Sequence, residues 1–290
     1  MRWSDALQLG RVSNLPTVWT NTLAGVVLAG AAPGPAAMLG LLLAMSLYYV
    51  AGMFLNDAFD RGFDARHRPE RPIPSGCVSA FTVFTAGFGM LAVGLVLLTW
   101  LGFTLQGSDG GQALLAGLVL AAAIVFYDWY HKQNSLSPVV MGFCRMMVYV
   151  AVAFAVTAEP PAAVYLLGGL LLAYLIGLTY IAKQEHLGRL SSLWPLVFLA
   201  LPVLWGVSVS VGNRLVAAFC AFFVAWVLYA LSFLWRRRAG DVPRAVGYLL
   251  AGICLWDALV LAAQDRIELA GLALGAFALT LLLQRFVSPT

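Results

Sequence analysis

The sequence is poor in charge: Lys, Arg, Asp and Glu make up 10% of its 290 residues, against about 25% in a soluble globular domain. That scarcity excludes a soluble enzyme, a disordered chain and a nucleic-acid-binding module. Its four cysteines, Cys77, Cys144, Cys220 and Cys254, are far apart and form no CxxC or CxH pair, so a zinc or redox site has no support. No long polar stretch marks a second domain. The first nineteen residues, MRWSDALQLGRVSNLPTVW, are too polar for a secretory signal peptide and read as an interfacial segment leading into a first span. What is plentiful is apolar surface: 62% of residues are hydrophobic and 12% aromatic, and the mean hydropathy is +0.88.

That excess is arranged in runs long enough to cross a ~30 Å hydrocarbon core. Ten apolar segments are expected at 15–32, 36–56, 78–104, 112–127, 138–157, 162–182, 193–211, 214–235, 244–264 and 267–285. Breaks between them carry turn formers: Pro33-Gly34-Pro35, Gly110-Gly111, Ser137-Pro138, Pro160-Pro161, Gly212-Asn213 and Gly240 to Pro243. The expected fold is all-α: one polytopic transmembrane helical bundle over residues 1–290, of nine or ten spans because the last two segments are separated only by Gln264 to Glu268. The sequence also carries a weak internal match, in which Tyr49, Gly52 and Asp60 recur as Tyr174, Gly177 and Glu185, four spans apart.

The net charge of +4 reports topology rather than a nucleic-acid partner. With the N-terminus inside, all of the 17 basic residues except Arg214 and Arg266 fall on the inner side. The same partition gathers Asp57, Asp60, Asp64, Glu70, Asp128, Glu185 and Asp241, and all three histidines (His67, His131, His186), on that face. The expectation is a multi-pass protein of the cell inner membrane whose polar chemistry faces the cytoplasm through the loops after the second, fourth and sixth spans.

The sharpest local feature is Asn56-Asp57-Ala58-Phe59-Asp60-Arg61-Gly62-Phe63-Asp64 at the end of the second span. If the helix continues through it, Asn56, Asp60 and Asp64 stack at i, i+4 and i+8, with Asp57 beside them. Three carboxylates on one stripe repel, and each costs about 2.5–3.5 kcal/mol at a bilayer centre and less near an interface. Something positive must offset that, unless the segment is a solvated acidic loop. Oxygen-only ligation suits Mg²⁺, which bridges to substrate phosphates. The segment that follows, Arg66-His67-Arg68-Pro69-Glu70-Arg71-Pro72-Ile73-Pro74-Ser75-Gly76, offers Arg68 and Arg71 either to a diphosphate or to simple positive-inside anchoring.

NDAFDRGFD followed by RPERPIPSG resembles the first Asp-rich motif of the UbiA superfamily of intramembrane prenyltransferases, NDxxDxxxD with an RPIPSG-like stretch a few residues on. The resemblance extends over nearly the whole chain in length, span count and sidedness, although members of this architecture have nine spans. It implies Mg²⁺-dependent transfer of a prenyl group from a prenyl diphosphate, usually to an aromatic ring, with Asp57, Asp60 and Asp64 as metal ligands and catalytic residues. It also implies a basic position after the fourth span, matched by Lys132. Arg145 needs an anion or snorkels to headgroups. Asn14 and Asn21 share a face that serves either an acceptor or helix–helix hydrogen bonds. The family's second Asp-rich motif, commonly DxxxD, is reduced to Lys183-Gln184-Glu185-His186-Leu187-Gly188-Arg189. This leaves Glu185 as the only acid there for a second metal, with Lys183 and Arg189 as cations that can reach diphosphate.

The resulting expectation is ionisation of an allylic diphosphate, its charge neutralised by Mg²⁺ and arginines, inside a dry aromatic-walled bundle. The expected partners are a prenyl diphosphate, a small acceptor that the resemblance makes aromatic, and the lipid bilayer, with no nucleic acid. Two other readings stand beside it: a transporter or flippase for an isoprenoid or anionic lipid, and a UbiA-like protein with altered catalysis. Asp257, the one acid deep in an apolar run, is functional or pairs structurally with a neighbouring helix.

Overall fold

Proline marks several helix starts. Pro16, Pro35 and Pro138 each lie in a first turn, where the missing N–H would have no helical partner. Side chains cap others: Ser79 accepts from the Thr82 N–H, and Asp109 from the Gly111 and Gln112 N–H groups. The computed structural model describes residues 2–132, 134–183, 194–236, 238 and 240–289. Among the described residues the regular structure is helical without strands. The short α1 (Trp3–Leu9) and a 3-10 turn (Val12–Asn14) lead into α2 (Leu15–Leu28). Then follow α3 (Pro35–His67), α4 (Ala80–Thr104), α5 (Gly110–Tyr130), α6 (Ser137–Val156), α7 (Ala162–Lys183), α8 (Val197–Val209), α9 (Arg214–Arg236), α10 (Asp241–Ala263) and α11 (Ile267–Leu283).

Each of the ten expected apolar segments thus holds one helix, α2 to α11. Seven of them are long and apolar enough to cross a membrane, while α8 and α11 are shorter apolar helices. At about 1.5 Å per residue, α2 and α8 reach roughly 20 Å, short of the ~30 Å core. The two ends of the chain meet: Asn14 donates to the Pro289 carbonyl and accepts from Gln284 Nε2, both at 3.0 Å. The start of α2 and the end of the chain after α11 therefore lie at the same end of the bundle. α1 packs through Leu9, which is buried against Phe54, Val78 and Val83.

The core sits around α10, which touches α2, α7, α9 and α11 and buries Trp256 against Trp205 and Phe223. The outer faces are apolar instead: α4 exposes Phe81, Phe88, Val96, Trp100 and Phe103, as lipid contact requires. The Tyr49 and Tyr174 of the internal match serve different contacts, Tyr49 donating to Arg11 O and Tyr174 to Leu249 O.

In lipid no hydrophobic gain draws helices together, so close packing must do it. α6 and α7 approach at Gly142, where an added Cβ would lie 2.6 Å from the Leu172 carbonyl oxygen. Backbone cannot swing aside as a side-chain tip can. Gly142→Ala is therefore expected to lose about 1–3 kcal/mol despite the better helix propensity of alanine. Gly271→Ala, on an open face of α11, should be neutral or gain up to about 1 kcal/mol. Thermal unfolding of the two variants in detergent checks the contrast.

Candidate active site

The acid stripe is helical. α3 continues eleven residues beyond the apolar segment and stops at Arg68, the residue before Pro69, where the α conformation is disfavoured. Asn56, Asp57, Asp60 and Asp64 accordingly share one side of the helix. All three acids are buried, at 6%, 8% and 2% exposure, so they do not form a solvated loop.

Their charge is offset from three other parts of the chain. Arg11 precedes the 3-10 turn in a left-handed conformation (φ 40°), and its Nη2 lies 3.1 Å from Asp57 Oδ1. Arg71, beyond the end of α3, bridges Asp57 and Asp64 through one nitrogen at 3.0 and 3.1 Å. Lys132, just past α5, pairs with Asp60 at 3.0 Å, with His131 Nε2 at 3.5 Å from the same oxygen. Lys132 also sits 3.9 Å over the Phe63 ring. Burial works against the Arg11 charge, but the negative groups around it, Asp57 foremost, outweigh it and hold the guanidinium above its ordinary value.

A cavity of about 400 Å³ opens between the ends of α3 and α5, with Phe59, Asp60, Phe63, Asp128, His131 and Lys132 in its wall. Its volume is in the range of small-molecule sites. Asp128 Oδ1 accepts from Asn56 Nδ2 at 3.1 Å. Asp128 Oδ2 and His131 Nδ1 are buried without a hydrogen-bond partner among the described residues.

A second polar cluster lies deeper. Asp257 on α10 accepts from Thr20 Oγ1 at 2.5 Å, from Asn21 Nδ2 at 2.8 Å and from the Tyr149 hydroxyl. Arg145 is buried rather than snorkelling. It donates to Asn21 Oδ1 at 2.8 Å and Thr17 Oγ1 at 3.0 Å, so its direct partners are neutral oxygens with Asp257 one step beyond. This knot ties α2, α6 and α10. Tyr49 stands between the clusters, its ring 5.6 Å from the Arg145 guanidinium and its hydroxyl on Arg11 O.

The structure therefore brings together Asn56, Asp57, Asp60, Asp64, Arg71 and Lys132 from the sequence reading. Arg68 is half-buried beside them with no side-chain partner among the described residues. Asn21 and Arg145 join the deeper knot, and Asn14 holds the C-terminal segment. Lys183 donates to Asn134 O and Ser137 Oγ at 2.8 and 2.9 Å, fastening the connection that follows Lys132. Glu185 and Arg189 lie outside the described residues. Sequence reasoning did not select Arg11, Asp128 or His131. Only the i, i+4 spacing of Asp128 and Lys132 hinted at the latter group, and no local pattern marks Arg11.

The donor set has the chemistry a divalent cation takes, carboxylate and amide oxygens with no thiol, and it keeps one open buried oxygen on Asp128. Among the described residues, however, no three acidic, cysteine or histidine side chains converge to hold a metal as they stand, because Arg71 and Lys132 occupy the acids.

Comparison with known proteins agrees with this architecture. Residues 18–279 match the UbiA prenyltransferase family, and the chain belongs to it: a UbiA-type prenyltransferase, as the motif pair implies. It is 29% identical to the digeranylgeranylglyceryl phosphate synthase of Methanopyrus kandleri over 94% of this chain and 96% of that one. The like-named enzyme of Metallosphaera sedula is 30% identical over 35% of this chain and 33% of its own length, so there the chain aligns with only a third of its relative. Among solved structures, one described as giving insight into digeranylgeranylglyceryl phosphate synthase in membranes superposes with a TM-score of 0.60 at 18% identity, covering 91% of this chain and 98% of that one. A UbiA homologue from Aeropyrum pernix K1 gives 0.52 at 17% identity, over 95% and 98%. These two speak for the fold.

The ion pairs reverse a simple expectation from repulsion among three acids. Asp57→Ala would strand Arg11 and leave Arg71 with Asp64 alone, so it should destabilise the metal-free protein by roughly 1–2 kcal/mol, less than a fully buried pair would cost. Asp257→Leu leaves the Asn21 amide and the Tyr149 hydroxyl unmatched and should lower the melting temperature further. Side-by-side melts of the two variants and the parent in one detergent decide the order.

Proposed function

We propose that this chain transfers a prenyl group from a prenyl diphosphate to a small acceptor at the polar end of its bundle, with Mg²⁺ as cofactor. The observation that carries the reading is the pairing of three helix-stacked acids with cations from separate segments. Each pair can exchange partners at little electrostatic cost: carboxylates turn to a cation, and Arg11, Arg71 and Lys132 turn to diphosphate oxygens. Family membership accounts for the acid stripe and the basic face together, whereas transport accounts only for the basic face.

Asp57, Asp60 and Asp64 would hold the metal, with Glu185 supplying a carboxylate from the connection after α7. Bound there, Mg²⁺ would neutralise charge on the diphosphate and favour its departure. The chain's own groups do the rest. Arg71 and Arg68 receive the charge that develops on the leaving oxygens, through forked donors suited to phosphate. Lys132 does so as a point charge, held in place by the Phe63 ring and by the connection that Lys183 fastens. Apolar helices keep water from the allylic cation, and the Tyr49 ring offers it a π face. Asn21 and Arg145, one tyrosine away, are the candidate acceptor-side groups. The polar end faces the cytoplasm in this reading, in keeping with the distribution of arginine and lysine.

Two acceptor classes follow from different sources. The motif resemblance implies an aromatic ring, and the names of the relatives imply a glyceryl phosphate. Purified protein supplied with geranylgeranyl diphosphate and Mg²⁺ should release diphosphate only when an acceptor of one class is added, and chelation should stop it. Asp60→Ala should abolish turnover. Arg71→Ala should reduce kcat/KM about 10²–10³-fold. Glu185→Gln should raise the Mg²⁺ concentration needed for half-maximal rate. Full turnover in Asp60→Ala, or in chelator, would count against the assignment.

A further inference from the structure

We propose that Asp128 is a fourth carboxylate ligand for the divalent cation, contributed by α5 rather than by the acid stripe of α3. The inference rests on the prenyl-transfer reading and deepens it.

The argument is one of charge and valence. Asp57 has two arginines, Asp64 has one, and Asp60 has Lys132 and His131. Asp128 is 3% exposed and is matched only by a neutral amide: Asn56 Nδ2 satisfies Oδ1, and Oδ2 has no partner among the described residues. Burying a carboxylate oxygen without a donor costs several kcal/mol in general, so such a group calls for a positive occupant. Asp128 lines the same cavity as Asp60 and Lys132, and it stands in the last turn of α5, four residues before Lys132. The Asn56 amide fixes the carboxylate orientation, as an outer hydrogen bond does for a metal ligand. In the metal-free protein a proton can neutralise the buried carboxylate, but its O–H would find no acceptor among the described residues, a bond left unmade that a cation would not leave. A hard cation fills the vacant valence and matches the oxygen chemistry. It would be held between α3 and α5 rather than along α3 alone, and binding it would draw the two helix ends together across the cavity.

The test is metal binding without turnover. Mn²⁺ titration of the purified full chain, followed by the loss of the free-ion electron paramagnetic resonance signal, gives an affinity in the presence of inorganic diphosphate. Asp128→Asn keeps the volume and the Oδ1 acceptor for Asn56. It should weaken Mn²⁺ about tenfold or more, while Glu268→Gln, at the opposite end of the bundle, should not change it. Asp128→Cys replaces a hard ligand by a soft one and should move the preference towards Cd²⁺, a switch that a merely structural carboxylate would not produce. If Asp128→Asn binds Mn²⁺ as the parent does while Asp60→Asn binds it more weakly, the Asp128 proposal falls and the prenyl-transfer reading stands. If the parent binds no Mn²⁺ with diphosphate present, the metal-dependent reading falls and this proposal with it. If Asp128→Asn does not fold, an unchanged metal preference in Asp128→Cys overturns the proposal by itself.

Discussion

A carboxylate carried into a hydrocarbon-walled bundle must find positive charge or a full set of donors, and this fold is arranged around two answers to that demand. At the polar end, Asp57, Asp60 and Asp64 are matched by Arg11, Arg71 and Lys132. At mid-bundle, Asp257 is matched by hydroxyl and amide donors from α2 and α6. The first answer uses long side chains from irregular segments. The second uses short side chains fixed on helices. The difference predicts their uses: cations on loops can change partners, whereas Thr20, Asn21 and Tyr149 cannot leave Asp257 without pulling helices apart.

Much of this was legible in the sequence because membrane physics writes itself in long runs. The ten apolar segments each became a helix, and the i, i+4, i+8 stacking of Asn56, Asp60 and Asp64 became a buried stripe once α3 extended to His67. The contacts that were not legible are those set by tertiary placement. Arg11 reaches Asp57 only because a left-handed residue turns the chain between α1 and the 3-10 segment. Asn14 and Asn21 share a helical face by spacing, yet one meets the C-terminal segment and the other the α10 acid. Arg145 offered two alternatives, an anion or the headgroups, and the structure gives a third: neutral oxygens that pass its charge on to Asp257. Hydropathy likewise cannot distinguish a full span from a short helix, so the segments at 15–32 and 193–211 read like the others although α2 and α8 fall short of membrane thickness.

The two polar clusters are not independent. Tyr49 hydrogen-bonds the backbone of Arg11, whose side chain faces Asp57, and its ring lies beside the Arg145 guanidinium. A ligand that drew Arg11 away from Asp57 would press on Tyr49, and through it on the residue nearest the deep knot. Coupling of this kind needs no large motion, since a packed aromatic ring has few alternative positions. If the chain transfers a prenyl group as proposed, a diphosphate at the loops would be linked in this way to Asn21 and Arg145 on α2 and α6. In the proposed prenyl transfer such a link would favour an acceptor in place before ionisation, the order that keeps water from the allylic cation.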